Sequence, residues 1–300
     1  MNVRAKIASY LKNIPGWKTK RKIVVFSVDD YGSIRLQSKF SRDKLFSDSE
    51  TTNRFDKFDC LETSDDLDSL FEVLLSYRDK KDRPAVFTPF TVMRNINFEA
   101  IIDGGYSEYY SETIDSTFRK FEVLYPNKYG KIWSLWKQGV NEGYFIPQFH
   151  GREHFNLNLF SKLLDEDDNK LKRMLENNSC ISMGRINGID FTSAYGIYSQ
   201  KDSEYFSKII DEGLGDFQNI FGFSAVEFMP PTSIISDETL NGIKNKELRI
   251  IGRGLIHNVP EGESKYKNTF NYTGKSILDR YYTSVRNIVF EPNDNRGFDW

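Results

Sequence analysis

The sequence predicts an α/β fold built around a parallel sheet, either open or closed into a barrel. Two patterns support this. Short β-branched and aromatic runs alternate with segments of helical periodicity. Residues able to do chemistry fall just past the carboxyl ends of those runs, where strand–helix folds gather their sites.

With 300 residues the chain is long enough to bury a substantial core. Hydrophobic residues make up 39% and charged residues 28%, the balance of an ordinary globular protein. Aromatics reach 15%, which suits a large core and a sugar-binding cleft equally. A net charge of −2 and the lack of a Lys/Arg-rich recognition module argue against nucleic acid as a partner. Cys60 and Cys180 fit no metal spacing. No apolar run approaches 18 residues, and the N-terminus has no secretory pattern, so the expected location is the cytoplasm.

Residues 1–22 carry seven Lys or Arg and no acidic side chain, with Val3, Ile7, Tyr10, Leu11 and Ile14 at helical spacing. They read as a basic amphipathic helix ending before Pro15. Such a helix would close one end of the domain or rest on the inner membrane surface. Residues 23–300 read as an α/β barrel domain. Ile23–Val28 is its first strand, and 36–62 is polar and irregular. Leu67, Leu70, Phe71, Leu74 and Leu75 mark a helix capped at Ser64-Asp65-Asp66. Ala85–Phe87 is a second strand. Residues 99–128 form an insertion rich in Tyr, Ser and Glu. A helix through Trp133 and Trp136 stops near Gly143, and Tyr144–Phe149 is a third strand. Helices follow at 157–165, 168–177 and 202–219. After them come a strand at Ser224–Phe228, a short helix at 236–246, and strands at Arg249–Ile251 and Ile288–Phe290.

Only three histidines occur, and two sit four apart in His150-Gly151-Arg152-Glu153-His154. On a helical turn, i and i+4 share a face, so both imidazoles could meet one ion. The first strand ends in Asp29-Asp30-Tyr31-Gly32. Two imidazoles plus the Asp30 carboxylate suit one divalent metal, zinc above all. Asp29 would then accept a proton from the attacking water, and N–H groups at Tyr31-Gly32 would donate to the oxyanion. Each motif also has a plainer reading, the Asp pair as a turn or helix cap and Arg152 as a loop support.

Phe26-Ser27-Val28-Asp29-Asp30-Tyr31-Gly32 resembles the Thr-Phe-Asp-Asp-Gly motif of polysaccharide deacetylases of the NodB-homology type. His150-Gly151-Arg152-Glu153-His154 resembles their metal-binding His-(Ser/Thr)-x-x-His. Phe228-Met229-Pro230-Pro231-Thr232 resembles their Arg-x-Pro-Tyr motif. The resemblance spans about residues 23–256. It implies a distorted (β/α)7 barrel, a divalent metal, and N- or O-deacetylation of a sugar or polysaccharide. Carried over, Asp29 is the base, Asp30, His150 and His154 are the ligands, and Pro230 is a substrate-side residue.

The departures are specific. Tyr31 before Gly32 is closer to the Asp-Asp-Phe-Gly of YdjC-like deacetylases. Met229 stands in place of the arginine that supports the base, with Arg94 and Arg253 as candidate substitutes. The final Leu-x-His, source of the general acid, is not found. His257 is the candidate replacement, with a loop histidine bonded to backbone as the alternative. Six strands are expected instead of seven, as if the last strand–helix unit were lacking. Two further functions stay open: a carbohydrate-binding or scaffold protein on the same barrel, and a glycoside hydrolase pairing Asp29 with Glu227 or Glu291.

Overall fold

The computed structural model describes residues 14–46, 55–56, 59–263 and 265–288. In chain order its elements are β1 (Phe26–Tyr31), α1 (Lys39–Leu45), α2 (Ser64–Ser76), β2 (Phe87–Val92), β3 (Arg94–Ile96), α3 (Phe98–Asp103), β4 (Ser111–Thr113) and α4 (Ile114–Leu124). Then come α5 (Pro126–Tyr129), α6 (Ile132–Glu142), β5 (Gln148–Gly151), α7 (Leu157–Asp165), α8 (Asn169–Glu176), β6 (Arg185–Ile186), β7 (Ile189–Asp190) and α9 (Gln200–Phe221). The last are β8 (Glu227–Phe228), α10 (Asp237–Gly242), β9 (Ile250–Gly252), β10 (Ile256–Gly262), β11 (Lys265–Phe270), β12 (Ser276–Ile277) and β13 (Tyr281–Ser284).

The fold is α/β around a seven-stranded sheet of order β1-β2-β5-β8-β9-β13-β12. Every pairing in it is parallel except that of β12 with β13. Connections through helices make this parallel arrangement possible. On the outer face Phe149, Phe228 and Ile251 are fully buried. Helix α9 meets this face at Gly213, where an added Cβ would lie 2.9 Å from the Phe149 ring. Trp136 of α6 packs edge-on against Phe145, with centroids 4.9 Å apart. The predicted α2 forms as expected, but its cap is one residue earlier. The Thr63 hydroxyl accepts from the Asp66 N–H, and the Asp66 carboxylate accepts from the Thr63 N–H.

Five sequence expectations shift. The third strand runs over Gln148–Gly151 instead of 144–149, so His150 lies within it. The first strand reaches Tyr31, so both aspartates lie within it. The second runs over Phe87–Val92 instead of 85–87. The irregular 36–62 stretch contains α1. The sixth parallel strand is Tyr281–Ser284, whereas Ile288 is 84% exposed and in no strand; 289–290 lie outside the described residues. The 99–128 insertion is ordered as the β3–β4 ribbon with α3 and α4, and its Tyr109 hydroxyl donates to Glu153, 3.2 Å away. Most of the expected basic helix, residues 1–13, also lies outside the description, and 14–22 form no helix. Among the described residues no helix is long and apolar enough to cross a membrane.

The sheet is strongly curved. Five strand spacings of about 4.8 Å would separate β1 from β13 by roughly 24 Å if it were flat. Yet Arg286, just after β13, bonds directly to Asp29 of β1. Among the described residues no backbone pairing joins β1 to β12. The first and sixth parallel strands are therefore bridged by side chains rather than by a ladder.

Candidate metal centre

The site begins at a β-bulge. Val28 pairs with Pro89 and Tyr31 with Thr91, so Asp29 and Asp30 together oppose the single residue Phe90. Asp30 takes the left-handed conformation, φ 69°. In a regular strand two successive side chains point to opposite faces; the bulge re-aims Asp30 and lets the two carboxylates serve one site. Beyond it Gly32, φ 74°, is pressed against Ile114, whose Cδ1 would stand 2.2 Å from an added Cβ. The Gly32 N–H donates to Glu62 (3.1 Å), and its carbonyl accepts from the Asn95 amide (2.8 Å).

The histidines converge differently from the expected helical spacing. His150 is the penultimate residue of β5, while His154 lies in the loop before α7. What turns the chain back is Gly151, φ 125°, where an added Cβ would meet the Tyr195 hydroxyl at 2.6 Å. The two rings end 5.2 Å apart. His150 Nε2 and His154 Nε2 each stand 2.9 Å from Asp30 Oδ1. Ligand atoms of all three residues lie within 4.8 Å of one another.

This set fits a divalent ion. His150 Nδ1 donates to the Met229 carbonyl at 2.6 Å, which leaves Nε2 of a neutral ring as a lone pair aimed at a carboxylate oxygen. Two lone pairs face each other stably only with a cation or proton between them. Donors about 2.1 Å from a tetrahedral zinc lie roughly 3.4 Å apart, so the side chains need to open by only about 0.5 Å. Without a cation, a proton takes that place. Burial opposes charging His150, but the Asp30 bond and the Asp29 and Asp30 charges outweigh it and raise its pKa. Asp30 is correspondingly held well below the usual carboxylate range, because the His154 and His150 interactions overcome its burial.

Asp29 is ion-paired with Arg286. The arginine at the expected base is therefore neither Arg94, which bonds Asp216 at 2.7 Å, nor Arg253, which bonds Asp237 at 2.7 Å. Met229 supplies its backbone carbonyl instead of a cation. Its side chain lies over Gly252, where an added Cβ would meet the sulfur at 2.2 Å. Beside His154 is a small cavity of about 20 Å³, lined by Ile34, Arg35, Arg94, Phe155 and Cys180 among others. It has room for about one water molecule.

Three expected roles, those of the Tyr31-Gly32 turn, Pro230 and His257, are not met, while Arg152 takes the loop-supporting place of its plainer reading. The Gly32 N–H is already engaged by Glu62, so that turn does not offer it to an oxyanion. The Tyr31 ring packs on the outer face against Phe87, Phe145 and Trp136, where burial pushes its hydroxyl pKa up. Arg152 is buried and holds the His loop, donating to Glu153 at 2.8 and 2.9 Å and to Glu212. Pro230 is buried, and its carbonyl accepts from Ser233 at 2.7 Å. His257 sits on β10, with Arg253, Asp237 and the Ile235 backbone around it. Burial first, then the Arg253 charge, depresses its pKa to about 4, the wrong direction for a proton donor near neutrality.

Sequence reasoning missed Glu62, Asn95 and Arg286. Glu62 follows an irregular stretch and carries no motif. Arg286 stands 257 positions from its partner. Only the Trp136 indole, which donates to Glu62 at 3.0 Å, hints that a buried acceptor was needed.

No protein-family model matches the chain. No curated protein matches it. Among solved structures it is similar to the 4-alpha-glucanotransferase from Thermococcus litoralis, at 8% identity and a TM-score of 0.34. That alignment covers 77% of this chain and 22% of the other, so the chain spans about a fifth of that protein's length.

Proposed function

We propose that the chain is a metal-dependent hydrolase that removes N- or O-linked acetyl groups from a carbohydrate, on a distorted (β/α)7-type barrel. The observation that carries this reading is the convergence of Asp30, His150 and His154 beside an Asp29 held by Arg286. A bound divalent ion, with zinc the best match to two imidazoles and a carboxylate, supplies Lewis acidity at the acetyl carbonyl.

The chain's own residues do the rest. The Met229 carbonyl fixes the His150 tautomer and ring orientation. Asp29 accepts the proton of the attacking water, and Arg286 keeps that carboxylate aimed. Glu62 and Asn95 clamp the turn that presents both aspartates.

The test is direct. Purified protein should hold about one equivalent of zinc and release acetate from acetylated sugar oligomers. His150→Ala and Asp30→Asn should each lose both properties. Metal-free protein whose stability ignores chelators would refute the reading.

A second reading is a deacetylase-like carbohydrate-binding protein. It is favoured by the setting of His257, where burial and the Arg253 charge depress the pKa of the expected acid to about 4. Retained zinc without acetate release across a broad panel of acetylated glycans would select it. A glycoside hydrolase using Asp29 and Glu227 would leave the two imidazoles without a task.

A further inference from the structure

If His257 is not the acid, something else must protonate the leaving group. An amine or sugar alkoxide departs poorly without a proton. Three strands bring carboxyl and cationic groups to one level of the inner face. Through the parallel register, the bulge at Asp29 lies beside Phe90, Phe90 pairs with Gln148, and Phe149 pairs with Phe228, which aligns Gln148 with Glu227. The Gln148 side-chain oxygen fixes this alignment by accepting the N–H groups of Val226 (3.0 Å) and Glu227 (2.9 Å). The Glu227 side chain is hydrogen-bonded to Ser284 and lies within electrostatic range of Arg286 and Asp29.

We propose that Glu227 is the proton donor to the leaving group, opposite Asp29 as proton acceptor. The assignment rests on the hydrolytic reading above. The two carboxyls sit in unequal settings. Asp29 takes the direct guanidinium bond from Arg286. Glu227 instead meets the Ser284 hydroxyl, with Arg286 within electrostatic reach. Its pKa is raised, chiefly by burial and further by the Asp29 charge, against the opposing Ser284 bond and Arg286. The contacts therefore differ: one carboxyl is held by a guanidinium, the other by a hydroxyl.

The proton count closes. Water loses a proton to Asp29 and its oxygen joins the acetyl carbon. The C–N or C–O bond breaks, and the Glu227 proton passes to the departing nitrogen or oxygen. Acetate and the free amine or alcohol leave, and Asp29 and Glu227 exchange their protons with solvent.

Leaving-group dependence tests it. Zinc-loaded wild type and Glu227→Gln are compared on an N-acetylglucosamine oligomer and on 4-nitrophenyl acetate, whose phenolate needs no protonation. The variant should lose about 100-fold or more in kcat on the amide. On the aryl ester it should stay within about threefold of wild type, with zinc content unchanged. The alkaline limb of the wild-type kcat/KM profile on the amide should vanish. Equal losses on both substrates would make Glu227 structural, and an unchanged amide rate would exclude it outright; either overturns the proposal. Should Glu227→Gln lose zinc or fold, Glu227→Asp replaces it. Partial amide activity with a shifted alkaline limb then supports the assignment, and an unshifted limb overturns it. A wild type that hydrolyses neither probe overturns the deacetylase reading itself, a result distinct from failure of Glu227 alone.

Discussion

Gly151 shows how one backbone angle shapes a candidate metal site. At φ 125° no L side chain sits comfortably, and a methyl there would collide with the Tyr195 hydroxyl. Gly151→Ala should therefore cost about 2–4 kcal/mol in urea unfolding and weaken zinc binding in a competition titration. Preserved affinity would mean that the loop is not what brings His154 to His150. Glu62 acts at the same scale. Burial raises its pKa to about 7, although the Gly32 N–H, its own N–H and the Trp136 indole all favour the carboxylate, and Asp66 adds to the rise. Because the folded pKa lies above the unfolded one, near 4.5, its contribution to stability is complete below about pH 4.5 and is lost as pH rises through about 7. Glu62→Gln should flatten the decline in stability between those values, by an amount on the order of 2–3 kcal/mol. Unfolding midpoints of wild type and variant at pH 5 and pH 8 check this; parallel slopes would contradict it. Of this scale, Asp29, Asp30, His150 and His154 were legible because each stands in a short motif. Glu62 was not, because burial is what gives it meaning.

At the scale of elements, the bulge in β1 and the bridge from Arg286 decide what the site can do. The helices were readable in advance because their apolar stripes recur at helical spacing and end at clear signals. One example is Gly143, left-handed at φ 78° after α6. The strands slipped by a few residues, since runs such as Ile23–Phe26 are apolar but lie outside or at the edge of the ladder, 47–78% exposed. Pairing, not hydrophobicity alone, sets where a strand begins. The Arg286–Asp29 pair spans that curved sheet with both side chains about a third exposed, 34% and 28%. Pairs this open contribute roughly 0–1 kcal/mol to stability, so its weight falls on positioning. Arg286→Met should leave the unfolding midpoint nearly unchanged and zinc in place while lowering acetate release about tenfold or more. A large stability loss would instead make the bridge a structural clasp.

For the whole molecule, the triad joins β1 to β5 and its following loop, so an ion held there ties the start of the chain to its middle. An ion that binds the folded state alone stabilises it by about 2.7 kcal/mol at a hundred times its dissociation constant. Added zinc should raise the thermal midpoint by several degrees and a chelator should reverse it, with no such shift in Asp30→Asn; a chelator-insensitive midpoint would contradict the metal centre. By itself the sequence determined the α/β alternation, most helices, and the three residues Asp30, His150 and His154 that converge. These are local patterns, written in spacing that any single stretch of chain carries. Tertiary structure alone decided that Arg286 pairs with Asp29, that Glu227 comes within electrostatic range of both, that Gly32 is engaged by Glu62, and that Arg253, Asp237 and the Ile235 backbone surround His257. Those facts depend on the curvature of a sheet and on which distant side chains it brings together, and no local spacing records them.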